Sequence, residues 1–205
     1  MEYAIKNKIP IDIFNRQGKH LGSFVSSNML QCNLWELQAT ASTYEKNTLA
    51  AKIIDGKITN QFNLVKYFHK YHKGHNSECS KSYSSLEIQV NRFKDFLKNW
   101  SRHDVEYNKR LMEHEAQVAL RYWEYIQSML IDDKVGFYKR EQQGATDIVN
   151  CMLNYGYALL YTKIWQALLQ YGLNPYNSII HVRQTGKPSF VYDIIEIFPV
   201  VDAGF

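Results

Sequence analysis

The 205-residue chain has no run of about 18 apolar residues, so it offers no segment to span a membrane. Its first residues, Met1-Glu2-Tyr3-Ala4-Ile5-Lys6, lack the long apolar core of a signal peptide. Cysteine is scarce. Cys32, Cys79 and Cys151 are odd in number and irregular in spacing. That argues against a disulfide framework and makes a reducing cytoplasm the expected compartment. There is no internal repeat and no low-complexity tract. Charge of one sign is modest: net charge is +4 and pI about 8.8. Such a bias is compatible with a polyanionic partner and too small to establish one.

What is present is ordinary apolar content, 45%, enough for one sizeable domain or a domain plus a fragment. Fifteen tyrosines favour stacking and interface surfaces. Residues 1–8 read as the end of a helix. Ile9-Pro10-Ile11-Asp12-Ile13-Phe14 alternates with period two, as a strand does. Residues 15–19 form a turn around Gly18, and 21–25 return as a second strand. A lone hairpin is marginal in water, so it must pack on something.

From about Leu34 onward the pattern is helical. Leu34, Leu37, Ala41, Tyr44, Leu49 and Ile53 fall near helical spacing, with Gly56 as a break and Ile58, Phe62, Val65 and Phe68 on the next helix. Residues 71–85, rich in His, Lys, Gly, Asn and Ser, read as a loop. Further helices are predicted over about 86–100 and 105–130. Asp147 suits the N-cap of a long apolar helix reaching Tyr171, and Gly172 suits the residue after its end.

Four groups of residues carry possible chemistry. His69, His72, His75 and Cys79 have zinc-clip spacing, although a solvated helix end explains the histidines as well. Glu115, near Glu113, is followed by Ala119 one turn on and Tyr122 two turns on. That leaves room beside an acid, yet a surface glutamate fits the pattern better. Asp193 and Glu196 interrupt the apolar run from Phe190 to Phe198. If that run is helical the two acids share a face, and two acids out of water call for a positive partner, usually a divalent metal. His181 precedes them. Lysines and arginines, among them Lys52, Lys57, Lys66, Arg92, Arg110, Arg121 and Arg140, are dispersed and read mostly as solvated faces. Any that converge near Glu115 would supply phosphate contacts.

Several strings in order resemble a known family. Glu115-Ala116-Gln117-Val118-Ala119-Leu120-Arg121-Tyr122-Trp123 resembles the glutamate-bearing helix of the CRISPR-associated integrases called Cas-one. Asn150 followed by Leu153-Asn154-Tyr155-Gly156-Tyr157-Ala158-Leu159-Leu160 resembles the next signature. Gly172-Leu173-Asn174-Pro175, His181 and Tyr192-Asp193-Ile194-Ile195-Glu196-Ile197-Phe198 complete the order. Upstream, Lys8-Ile9-Pro10-Ile11 and Gly18-Lys19-His20-Leu21-Gly22 are similar to the family's strand and turn entering the helical domain, and Lys57-Ile58-Thr59-Asn60-Gln61 resembles its following helix.

The resemblance implies a mostly α fold. Residues 1–30 would be a short β-hairpin remnant of an N-terminal β-rich domain, and residues 31–205 a helical catalytic domain. It implies a metal-dependent DNA endonuclease and integrase that inserts short DNA segments into a CRISPR array by 3′-hydroxyl attack on a phosphodiester. Glu115, His181 and Glu196 would hold Mg²⁺ or Mn²⁺, with Asp193 supporting from close by. Arg121, Arg140 and Lys187 are DNA-contact candidates. Implied partners are double-stranded or branched DNA and the small ferredoxin-like protein Cas-two, with homodimerisation once an N-terminal domain is supplied and no membrane. The chain departs from the family at Pro199 and Ala203, where arginines are usual, and at Phe205, where the family continues. A partial chain is therefore expected. The alternative is a non-catalytic DNA-binding or assembly subunit of the same fold.

Overall fold

In a computed structural model of the protein, the described residues are 1–16, 20–29, 31–71, 77–130, 136–181 and 185–198, with backbone only for His20 and Asn28. In chain order the elements are α1 (Glu2–Lys6), β1 (Ile11–Phe14), β2 (His20–Phe24), a 3-10 turn (Ser27–Met29), α2 (Cys32–Thr40), α3 (Thr43–Tyr71), α4 (Ser77–Asn99), α5 (Tyr107–Leu130), α6 (Ile148–Gln170) and α7 (Ser189–Ile195). The fold is mostly α, as expected, and β structure among the described residues is limited to the hairpin. No helix among them is long and apolar enough to cross a membrane. The chain divides into two compact units: Met1–Ser42 with Gly156–Ile195, and Thr43–Tyr155 with Glu196–Phe205.

In the first unit β1 and β2 pair antiparallel, with Asp12 opposite Ser23. Of their expected turn, residues 15–19, positions 17–19 lie outside the described set. The hairpin is pinned through that pair. Asp12 accepts from Ser23 Oγ and from Gln166 Nε2, and Trp165 Nε1 donates to Ser23 Oγ at 2.8 Å. Two strands thus gain the tertiary support that an isolated hairpin lacks. Beneath lies a core of Met29, Ile164, Trp165, Leu168, Leu169, Phe190, Val191 and Ile195.

The end of α6 is set by local chemistry. Gly172 sits at φ 72°, its N–H bonds Leu169 O at 3.0 Å, and Leu173 N–H bonds Leu168 O at 2.8 Å. This is the paired closure that a left-handed residue after a helix makes possible. The turn then docks α2: Trp35 Nε1 donates to Gly172 O at 3.0 Å, and Gln38 Oε1 accepts from Asn174 N–H at 2.8 Å.

In the second unit α3, α4 and α5 pack on one another around Ile54, Ile58, Val65, Leu86, Val90, Phe93, Leu111, Val118, Tyr122 and Tyr125. Two expectations are corrected here. Gly56 does not break the helix: α3 runs through it, because burial of Ile53, Ile54, Ile58 and Phe62 on either side outweighs its weak propensity. The polar segment 71–85 is not one loop. Residues 77–85 are the first turns of α4, whose buried face begins with Cys79; residues 72–76 lie outside the described set. The predicted cap of α6 forms. Asp147 Oδ1 accepts from Asn150 N–H at 2.8 Å, and Oδ2 accepts from Asn150 Nδ2 at 2.8 Å. Burial alone would raise the Asp147 carboxyl, but these bonds outweigh it and hold it below the usual carboxylate value.

Candidate active site

Two groups of ionisable side chains are taken out of water, one in each unit. In the second unit, α5 presents Leu111, Val118 and Tyr122 as one buried stripe. Glu115 lies within that stripe, four residues after Leu111 and three before Val118. Its side chain is 12% exposed, so the surface reading of this glutamate does not hold. On α3, Lys57 falls in the same way between buried Ile54 and Gln61, and is 13% exposed. Lys57 Nζ donates to Glu115 Oε1 and lies 2.5 Å from Glu196 Oε2. One ammonium is therefore clasped by two carboxylates. Burial alone would lower the Lys57 pKa; the charges of Glu196 and Glu115 outweigh it and raise it above the usual lysine value.

The segment carrying Glu196 is held against α3 by the residues flanking Lys57. Asn60 Nδ2 donates to Ile197 O at 2.8 Å. Gly56 leaves room for Ile197, whose Cγ2 would lie 3.4 Å from a Cβ at position 56. Gly56, Lys57 and Asn60, on adjoining turns, thus form the docking strip for Glu196 and Ile197.

In the first unit Asp193 is fully buried on α7 and accepts only neutral donors and an imidazole. Ser178 Oγ donates at 2.8 Å, Ile179 N–H at 2.6 Å, Ile180 N–H at 3.1 Å and His181 N–H at 3.1 Å. His181 Nδ1 is 2.6 Å from Oδ1. Burial would raise this carboxyl, yet the bonds from His181, Ile179, Ile180 and Ser178 outweigh it and hold it below its usual value. An ionised carboxylate only accepts, so Nδ1 carries the proton and a neutral ring has its lone pair on Nε2. The His181 side chain is 41% exposed.

The expected pair of acids on one helical face does not form. α7 ends at Ile195, and Asp193 and Glu196 engage entirely different partners. In the sequence Lys57 stood among the dispersed cations and at the head of one family-like string, with no role assigned, though its position between Ile54 and Gln61 marks a buried face that a lysine occupies only when paired. The other candidates have partners of their own. Glu113 pairs with Arg110 at 3.1 Å in solvent. Arg121 is held by Glu124 at 2.7 Å, and Arg140 donates to Asn150 Oδ1 at 3.0 Å. Lys187 lies over the Tyr192 ring, 5.3 Å from its centroid. Of the proposed zinc ligands, His69 stacks on Tyr83 with centroids 4.1 Å apart and Cys79 is buried; His72 and His75 fall outside the described residues. Among the described residues no group of three or more His, Cys, Asp or Glu is arranged to hold a metal ion.

Comparison with known proteins bears on ancestry. A family model described as CRISPR associated protein Cas1 matches residues 1–203. The CRISPR-associated endonuclease Cas1 of Korarchaeum cryptofilum is 36% identical over 161 residues, which are 75% of this chain and 46% of that protein. The chain spans about half the length of the curated relatives it matches. Among solved structures, a Cas1 protein from Thermotoga maritima superposes with a TM-score of 0.70 at 22% identity, over 96% of this chain and 58% of that one. A casposase bound to integration product gives 0.63 at 21% identity, over 98% and 56%. A partial Cas6-RT-Cas1–Cas2 complex gives 0.67 at 22% identity, over 96% and 56%. These structural likenesses show the fold. With the family model matched from residue 1 to residue 203, the chain belongs to the Cas1 family of CRISPR-associated proteins.

Proposed function

We propose that this chain carries the catalytic portion of a divalent-metal-dependent DNA endonuclease and integrase of CRISPR adaptation. The observation that supports it is the seat formed by Glu115 and Glu196: two carboxylates, one buried and one partly exposed, aimed at one cation position. The Lys57 ammonium stands there now, so the seat accepts a positive charge in contact with both acids. Hard carboxylate oxygens with an imidazole nitrogen suit Mg²⁺ or, somewhat better, Mn²⁺. His181 is assigned as the third ligand on the resemblance of its motif.

The bound ion would neutralise charge on the phosphodiester and lower the pKa of the attacking hydroxyl. The chain's own residues do the positioning. Asp193 fixes the tautomer and tilt of the His181 ring. Gly56 and Asn60 set the depth of the Glu196 segment against α3. A DNA 3′-hydroxyl as nucleophile gives strand transfer; water in its place gives cleavage. The relatives' names support endonuclease activity, and the casposase and the Cas1–Cas2 assembly support DNA and Cas2 as partners. Homodimerisation, the division at residue 30, a cytoplasmic location and DNA contacts by Arg121, Arg140 and Lys187 are parts of the same proposal.

The test is cleavage of branched DNA in Mn²⁺ by the purified chain, with Glu115→Ala and His181→Ala alongside. Product from the wild type and none from either variant is expected. Duplex binding with no product in any metal would overturn the catalytic reading in favour of a DNA-binding or assembly subunit.

A further inference from the structure

Lys57 raises a question that the metal reading leaves open. A divalent ion bound to carboxylate oxygens sits about 2.0–2.6 Å from them. Lys57 Nζ already lies 2.5 Å from Glu196 Oε2 and in contact with Glu115 Oε1. The ion and the ammonium claim the same volume. Charge decides which arrangements are tolerable. Two carboxylates and one ammonium leave a net −1; replacing the ammonium by a divalent ion leaves 0. Keeping both gives +1, with two cations nearly in contact in a partly buried site.

We propose that Lys57 is a displaceable counter-ion: it holds the Glu115–Glu196 seat until a divalent cation takes it, and the released ammonium then pairs with a phosphate of the DNA. This rests on the metal-dependent reading above. A lysine suits such a role. Its charge is a single strongly hydrated point on a flexible four-carbon stem, so Nζ can leave without moving α3. An arginine would engage both acids through a planar fork and be far harder to dislodge. Buried acids left with no cation would repel one another, so the ammonium also keeps the metal-free site folded. DNA brings phosphates that can receive Lys57 once the metal has taken its acids, which couples metal loading to substrate binding without any change of fold.

The experiment is titration calorimetry of the metal-free chain with Mn²⁺, without DNA, on wild type, Lys57→Met, Lys57→Arg and Glu115→Gln. Competition predicts that Lys57→Met binds Mn²⁺ about tenfold tighter or more, the equivalent of about 1.4 kcal/mol of relieved competition. Lys57→Arg is expected to bind it several-fold weaker, and it retains the charge that folding needs if the methionine variant does not fold. In DNA binding with Mn²⁺ present, Lys57→Met is expected to lower the slope of log affinity against log salt by about 1. Wild-type Mn²⁺ binding that Glu115→Gln removes but neither Lys57 variant changes would overturn the counter-ion role and leave the metal site standing. No Mn²⁺ bound by any of the four proteins would overturn both.

Discussion

Glu115 and Asp193 are both carboxylates withdrawn from water, and they are neutralised in opposite ways. Asp193 is wrapped by Ser178, three successive backbone N–H groups and the His181 ring, all fixed to the fold. Glu115 shares the ammonium of Lys57 with Glu196. A carboxylate satisfied by fixed dipoles loses those bonds if it is to do anything else, so its role is to position. A carboxylate satisfied by an exchangeable ion can trade that ion for another of higher charge. The contrast separates an acid held by fixed dipoles from one held by a single side-chain cation, and the second is the kind that the proposed metal role requires.

The contrast breaks most readily at Asp193. Asp193→Ala leaves several donors without an acceptor inside the protein, and a loss of about 3–5 kcal/mol in urea unfolding is expected. A loss below about 1 kcal/mol would mean those donors are served by water. Glu115→Gln keeps the Lys57–Glu196 pair, which is partly exposed, so a smaller loss of about 2 kcal/mol is expected by the same measurement. If the two losses came out equal, the distinction between fixed and exchangeable neutralisation would fail.

Two glycines, Gly172 after α6 and Gly56 beside Lys57, sharpen the same comparison. Gly172→Ala forces a left-handed φ on alanine and brings its Cβ within 2.7 Å of Gln31 Cγ. A loss of about 1–2 kcal/mol, visible as a lowered Tm, is expected. The Asp147 cap comes next, with Asp147→Ala expected to cost about 1 kcal/mol near neutral pH. Its folded pKa is depressed, so the contribution is complete above the unfolded value of about 3.9 and is lost as pH falls through the folded value. Urea unfolding across an acid pH series should show wild type and variant converging on the acid side; a constant gap would sink the account. Gly56→Ala is the smallest effect. Its methyl makes ordinary contact with Ile197, and helix propensity favours alanine by up to about 1 kcal/mol. Unchanged or slightly raised Tm is expected, whereas Gly56→Leu should push Ile197 away and weaken Mn²⁺ binding.

Much of this was legible in the chain. The hairpin, the helix over 107–130, the Asp147 cap and the Gly172 stop were all readable because each rests on residues within a few positions of one another. The continuous α3 was not, since Gly56 is a local breaker overruled by burial along the whole helix. Residues 77–85 read as loop because their polar side chains line the outer face of α4, while the apolar face shows only from Cys79 and Leu86 onward. Glu115 read as a surface acid because its own helix offers it no cation; that comes from α3.

By itself the sequence determined the helical class, the two ends of α6 and, through the order of its motifs, membership of the family, for these depend on periodicity and on neighbours in the chain. Only the tertiary structure decided what each acid faces. Lys57 and Glu115 are 58 positions apart. Asp193 and Glu196 are three apart, yet one lies within α7 and the other beyond its end, with different partners. Charge pairing out of water is set by which helices pack together, and spacing along one helix does not encode that.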